Sequence, residues 1–209
     1  MVINLDFLTH ALRSLIIRAK ELSIERVVLN DDYYWNIGSS ERESLDVHPD
    51  DIVIGSLADD LASLEKLLHK THPASLVDFD RLGNVMIAVG ENFDKSQTSK
   101  NGLIVSLEML EKLLSLLIAQ AHASGIQHVD LSSEAYWDIS AAMRYNVYQA
   151  PEFTQRSLMV DAELLKQIIE NKRSVSIVDF VPLGNLVIAA GDGLSRSGDC
   201  FIECMTILF

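Results

Sequence analysis

The run Val77-Asp78-Phe79-Asp80-Arg81-Leu82-Gly83-Asn84-Val85-Met86-Ile87-Ala88-Val89-Gly90 returns as Val178-Asp179-Phe180-Val181-Pro182-Leu183-Gly184-Asn185-Leu186-Val187-Ile188-Ala189-Ala190-Gly191. Nine of the fourteen aligned positions are identical at an offset of 101 residues, so whatever this stretch forms, the chain forms it twice. Gly83-Asn84 and Gly184-Asn185 each stand between apolar flanks, the sequence signal of a two-residue β-hairpin. That reading predicts two strands in each copy, with positive φ at Gly83 or Asn84 and at Gly184 or Asn185.

The repetition extends outward from this block. Leu5, Leu8, Leu12, Leu15 and Ala19 align with Leu107, Leu110, Leu114, Leu117 and Ala121 at an offset of 102. Tyr34, Trp35 and Ile37 align with Tyr136, Trp137 and Ile139 in the same way. From Ser56-Leu57 and Ser157-Leu158 onward the offset is 101, so one residue is lost in the intervening loop, where the copies are least alike. Surface loops absorb such changes. The period is domain-sized rather than solenoid-sized. Two modules are expected, 1–101 and 102–209, joined by the polar stretch 92–102 and facing each other about a pseudo-two-fold axis, as in a fused homodimer.

Within a module, the apolar spacing at 5, 8, 12, 15, 16 and 19 predicts a helix, with Asn4 or Ser106 as N-cap. Arg26–Asn30 and Tyr33–Ile37 read as strands, and Ile52–Ile54 as a further short one. Ser56-Leu57-Ala58-Asp59 opens a helix running to about His69, with Leu57, Leu61, Leu64, Leu67 and Leu68 inward. With the hairpin added, the module is α-β-β-α-β-β: antiparallel sheets with helices on one face, an α+β fold. The apolar run 200–209 is expected to add one strand to the second module.

Composition narrows function by exclusion. The 209 residues are 48% hydrophobic, enough for one or two cores. Net charge is −13, from 17 Lys+Arg against 30 Asp+Glu, and it is spread over both halves. An evenly acidic chain repels phosphate backbones, so no nucleic-acid partner is expected; solubility or a basic protein partner accounts for the charge. The two cysteines, Cys200 and Cys204, read as buried thiols rather than a disulfide. No run of membrane-spanning length and no leader pattern at Met1–Asp6 is apparent, so a cytoplasmic protein without a membrane partner is expected.

Catalytic and metal motifs are scarce. His10, His122 and His128 align with Lys112, Lys20 and Arg26, which points to solvated positions, and His69-x-x-His72 supplies only two ligands. No metal and no cofactor is expected. Gly191-Asp192-Gly193 lacks the third glycine of a dinucleotide fingerprint, and Gly193–Gly198 misses the nucleophile-elbow spacing. Asp78 and Asp179 are the acids kept in both copies of the repeated block. They would serve as paired ligand carboxylates or, more simply, as hydrogen-bond partners of a neighbouring loop. Trp35 and Trp137 read as core anchors, with paired recognition aromatics on equivalent surfaces as the alternative. Tyr34 and Tyr136 alternate with them and would face outward, available for binding. The loop Ser140–Arg156 carries Tyr145, Tyr148 and Phe153, an aromatic content that its counterpart Gly38–Gly55 lacks; interface cores are enriched in such residues.

The function expected from these features is non-catalytic: an acidic binding protein, for instance a neutralising, immunity-like partner of a basic protein. The alternative is an enzyme or small-ligand binder using a cleft between the modules, with Asp78, Asp179 and a tyrosine as its polar groups.

Overall fold

The stretch that the chain presents twice is helical both times. The structure, a computed structural model, describes residues 1–37, 52–71, 73–92, 102–131 and 135–196. The order is β1 (Val2–Asn4), α1 (Leu5–Glu21), β2 (Arg26–Leu29), β3 (Tyr33–Ile37), β4 (Ile52–Ser56), α2 (Leu57–Leu68) and α3 (Val77–Asn92). It continues with β5 (Leu103–Ser106), α4 (Leu107–Ala123), β6 (His128–Asp130), β7 (Ala135–Ile139), the short α5 (Ala141–Arg144), β8 (Phe153–Ser157) and α6 (Leu158–Ile169). A 3-10 turn (Ile177–Asp179) then leads into α7 (Phe180–Arg196). The fold is α+β, with small antiparallel sheets among the helices.

Helix α3 and helix α7 correct the hairpin expectation, and with it the α-β-β-α-β-β order. Neither Gly83, Asn84, Gly184 nor Asn185 has positive φ. Both helices are wrapped by protein. Phe79, Leu82, Val85, Met86, Ile87, Ala88 and Val89 are buried, and α7 is buried from Phe180 to Gly191. A helix buried all round loses the amphipathic period that would identify it, and its apolar run imitates a strand. The glycines serve close approach rather than a turn. A Cβ on Gly83 would stand 2.6 Å from the Gly184 carbonyl oxygen, and a Cβ on Gly184 would stand 2.5 Å from that of Gly83. The two backbones thus cross where neither can carry a side chain. Read as one helix, Ile177–Arg196 is also long and apolar enough to cross a membrane, a run that a hairpin at Gly184-Asn185 would divide; 89% of its 18-residue apolar window is buried inside the protein.

The four amphipathic helices start and stop by local chemistry. Asn4 Oδ1 accepts from the Asp6 amide at 2.8 Å, and Ser56 Oγ from the Asp59 amide at 3.2 Å. Ser106 precedes α4 without a side-chain cap. At the other ends, Ser23, Lys70, Gly125 and Asn171 adopt positive φ. Each closes the same double hydrogen bond, for example Ile24 N to Ala19 O at 2.8 Å and Ser23 N to Lys20 O at 2.9 Å. This is the left-handed C-terminal cap, which satisfies carbonyls the helix would otherwise leave unpaired.

The strands form four antiparallel pairs. β3 pairs with β4 and β7 with β8, each within its own half of the chain. The other two pairs run between halves: β1 with β6, Val2 opposite Asp130, and β2 with β5, Val27 opposite Val105. β1 and β5 were not expected from the sequence. They are too short to show a period, and their pairing partners lie about a hundred residues away. One contiguous cluster of buried side chains draws on α1, α3, α4 and α7 together. The expected C-terminal strand, Cys200, Cys204 and His72 all lie outside the described residues.

Candidate functional site

β3 and β7 alternate as strands should, but in the opposite phase to the one expected. Tyr34 and Tyr136 point inward and are buried, while Trp35 and Trp137 are only half-buried. An inward tyrosine needs a partner for its hydroxyl. Tyr34 donates to Asp60 Oδ2 and Tyr136 to Asp161 Oδ2, both at 2.8 Å. These acids sit in the first turns of α2 and α6. Burial is the largest influence on each, outweighs the tyrosine hydrogen bond, and raises both carboxyls to about 6. Burial beside Asp60 also raises the Tyr34 phenol above its ordinary range. The sequence held a signal for both acids, since Asp60 and Asp161 match at the 101-residue offset.

Asp78 and Asp179 bond to the loop before their helices. Asp78 Oδ2 accepts from Ser75 N at 2.8 Å and from Ser75 Oγ at 3.0 Å; Asp179 Oδ2 accepts from Ser176 N at 2.7 Å. The other oxygen of each faces a guanidinium at 2.8 Å, Arg81 for Asp78 and Arg173 for Asp179. Their local roles are to cap a chain reversal and hold an arginine.

The aromatic loop divides. Tyr145 is half-buried and packs against the core. Phe153 opens β8, half-buried, opposite Ile139. Tyr148 alone projects, 95% exposed. Trp35 holds that loop from the other half of the chain: its Nε1 donates to Asn146 O at 3.1 Å and to Gln149 O at 3.2 Å, on either side of Tyr148. Ile54, the cross-strand neighbour of Trp35, is exposed, as is Tyr33 two residues along on the same face.

Beneath the loop lies a buried ionic cluster that the sequence did not reveal. Arg144, at the end of α5, donates to Asp138 Oδ1, and its Nε lies 3.4 Å from Glu91 Oε2. Arg156 Nε lies 3.0 Å from Asp138 Oδ2. Burial raises the Glu91 carboxyl despite the Arg144 charge. Asp138 and Glu91 align with Asn36 and Asp192, so repetition could not flag the set.

Two cavities border the α3–α7 pair. One, of about 630 Å³, is lined by Gly90, Glu91, Arg156, Asp161, Arg173 and Asp179 among others. The other, of about 580 Å³, is lined by Leu76, Val77, Asp80, Gly191, Asp192 and Arg196 among others. Asp179 therefore lines a cavity between the halves, together with Asp161 and not with a tyrosine. Asp78 is not in the wall of the second. Among the described residues no group of three or more His, Cys, Asp or Glu side chains is arranged to hold a metal ion. Comparison with known protein families, with curated proteins and with solved structures returned no match.

Proposed function

We propose that the protein is a non-catalytic, acidic, cytoplasmic interaction protein that engages a basic protein partner, as an immunity-like neutralising factor would. The observation that carries this reading is Tyr148, almost fully exposed on a loop held by two hydrogen bonds from Trp35, whose strand face also presents Tyr33 and the cross-strand Ile54 to solvent. An exposed aromatic on an anchored loop offers the contact area that an interface hot spot uses. The net charge of −13 would steer a cationic partner toward it. A photo-crosslinking residue at position 148 tests the reading. A basic protein should be captured, and its affinity for the native chain should fall at least about tenfold in Tyr148→Ala and weaken as salt rises. Binding indifferent to both Tyr148→Ala and salt would overturn it.

A second reading, an enzyme or small-ligand binder, is favoured by one specific observation: Asp161, raised to about 6, lines the cavity of about 630 Å³ beside Glu91. An acid tuned toward neutrality in a cleft is a functional-site signature. Turnover of a small substrate that Asp161→Asn abolishes would establish this reading over the first.

We further infer that the chain arose by tandem duplication and that its halves, 1–101 and 102–209, pair about a pseudo-two-fold axis. Several matches support this. β3 and β7, α1 and α4, and α2 and α6 have equal lengths at offsets of 102, 102 and 101. The left-handed caps at Ser23 and Gly125, and at Lys70 and Asn171, fall at matching positions. Gly83 and Gly184 meet each other, as equivalent residues do at an isologous contact.

A further inference from the structure

The larger cavity combines two features that point to one ligand chemistry. At about 630 Å³ it falls within the range of small-molecule sites, roughly 300–1,000 Å³. Arg156 and Arg173 line it with side chains 40% and 38% exposed. Each is anchored by one nitrogen: Arg156 Nε on Asp138 at 3.0 Å, Arg173 Nη1 on Asp179 at 2.8 Å. A guanidinium has five N–H donors in a planar fork, so both retain donors for a ligand, and the anchoring carboxylates hold the forks in place beforehand. Leu164, Val178, Val181 and Pro182 supply the apolar part of the wall.

We propose that this cavity binds a small organic carboxylate, a monoanion with an apolar body. Its carboxylate takes the spare N–H groups of Arg156 and Arg173, and its body lies on Val178, Val181, Pro182 and Leu164. A second negative charge on the ligand would meet Glu91, Asp161 and Asp179, which share the wall, so phosphate-like dianions are disfavoured. A cation would meet the charges of Arg156 and Arg173 in the same wall, where Glu91 and Asp179 are already paired with Arg144 and Arg173. The cavity of about 580 Å³ is the comparison: Asp80 and Asp192 line it with a single arginine, Arg196, and Gly55 aligns with Arg156, so it has no pair of guanidinium forks. The inference rests on the cavity alone. It is independent of any catalysis by Asp161 and of the Tyr148 surface, so its failure would leave the interaction reading intact.

Calorimetric titration of the whole chain with benzoate and hexanoate, against benzylamine and inorganic phosphate, tests it. Both carboxylates should bind more tightly than either comparator. Arg156→Gln and Arg173→Gln should each weaken binding by roughly tenfold or more, the usual loss for a hydrogen bond to a charged group. Lys166→Gln, on the exposed face of α6, should leave it unchanged. Should either glutamine variant fail to fold, amide shifts of the native chain decide: benzoate should move Ser176–Val181 and Gly90–Glu91, not Leu76–Val77 and Gly191–Asp192. Tighter binding of benzylamine or phosphate, no carboxylate binding at millimolar concentration, unchanged affinity in folded variants, or shifts confined to the second cavity would each overturn the proposal.

Discussion

Twice in this chain the hydroxyl of a strand tyrosine donates a hydrogen bond to an aspartate in the first turn of a helix, Tyr34 to Asp60 and Tyr136 to Asp161. Burial raises these acids from 3.8 to about 6. Between those values the folded chain holds more protons than the unfolded one, so stability falls as pH rises from about 4 to about 6 and levels off above. At about 1.4 kcal/mol per unit, each group contributes on the order of 2–3 kcal/mol to that fall. Asp60→Asn and Asp161→Asn keep an acceptor for the tyrosine and remove the titration. Urea unfolding followed against pH should lose part of its slope in each variant and most in the pair; unchanged slopes would show that the carboxyls titrate normally. Tyr136→Phe should act in the other direction. It removes the hydroxyl that lowers Asp161, so the carboxyl, followed by NMR, should titrate higher still, with stability at neutral pH reduced by about 1–2 kcal/mol.

Among the elements, the α3–α7 crossing sets the tightest tolerance. Alanine is the better helix former by about 0.8–1.0 kcal/mol, yet a Cβ at Gly83 or Gly184 would run into the facing carbonyl. Overpacking of this kind costs about 1–3 kcal/mol and occasionally more. Gly83→Ala and Gly184→Ala should therefore lower stability, by about 2 kcal/mol net in thermal or urea unfolding, and a gain would mean the helices have room to separate. The left-handed caps respond oppositely. Lys70 stands where glycine is at ease, so Lys70→Gly should stabilise by up to about 1 kcal/mol, while Gly125→Ala should destabilise by a similar amount. The same elements explain what sequence could and could not reveal. α1, α2, α4, α6, β3 and β7 were readable because one face meets solvent, which leaves a period in the residues. α3 and α7 meet protein on every side, so their period vanishes and Gly-Asn is mistaken for a turn. At Tyr34-Trp35 residue size points to the tryptophan as the core residue, whereas the acceptors at Asp60 and Asp161 draw the tyrosine inward. Of the candidate site residues, Asp78 and Asp179 bond their neighbouring loops as one of the two readings expected. Glu91 and Arg156 could not be found from repetition, since their counterparts Asp192 and Gly55 differ, and Arg144 lies in the loop where the offset changes and the alignment is lost.

At the scale of the whole molecule, the halves are not separable by inspection. β1 pairs with β6, β2 with β5, and a single core runs through both. Residues 1–101 expressed alone should be either unfolded or self-associated, with β1 of one copy on β2 of another, and so should 102–209; mixing the two should restore a compact complex. Light scattering with circular dichroism distinguishes these outcomes, and a well-folded monomer of either half would refute the expectation.

The pairing of Val2 with Asp130 also has a meaning in time. A ribosome delivers the chain from its amino end at about 5–20 residues per second. β2 is complete at Leu29, but its partner β5 ends only at Ser106, and the partner of β1 ends only at Asp130. The first-half strands therefore wait roughly 4–25 seconds in an open state during synthesis, with buried-to-be apolar side chains on view. For this protein, the nascent chain before residue 130 is the form that chaperones would meet, and the rate of translation through the second half governs how long they must hold it.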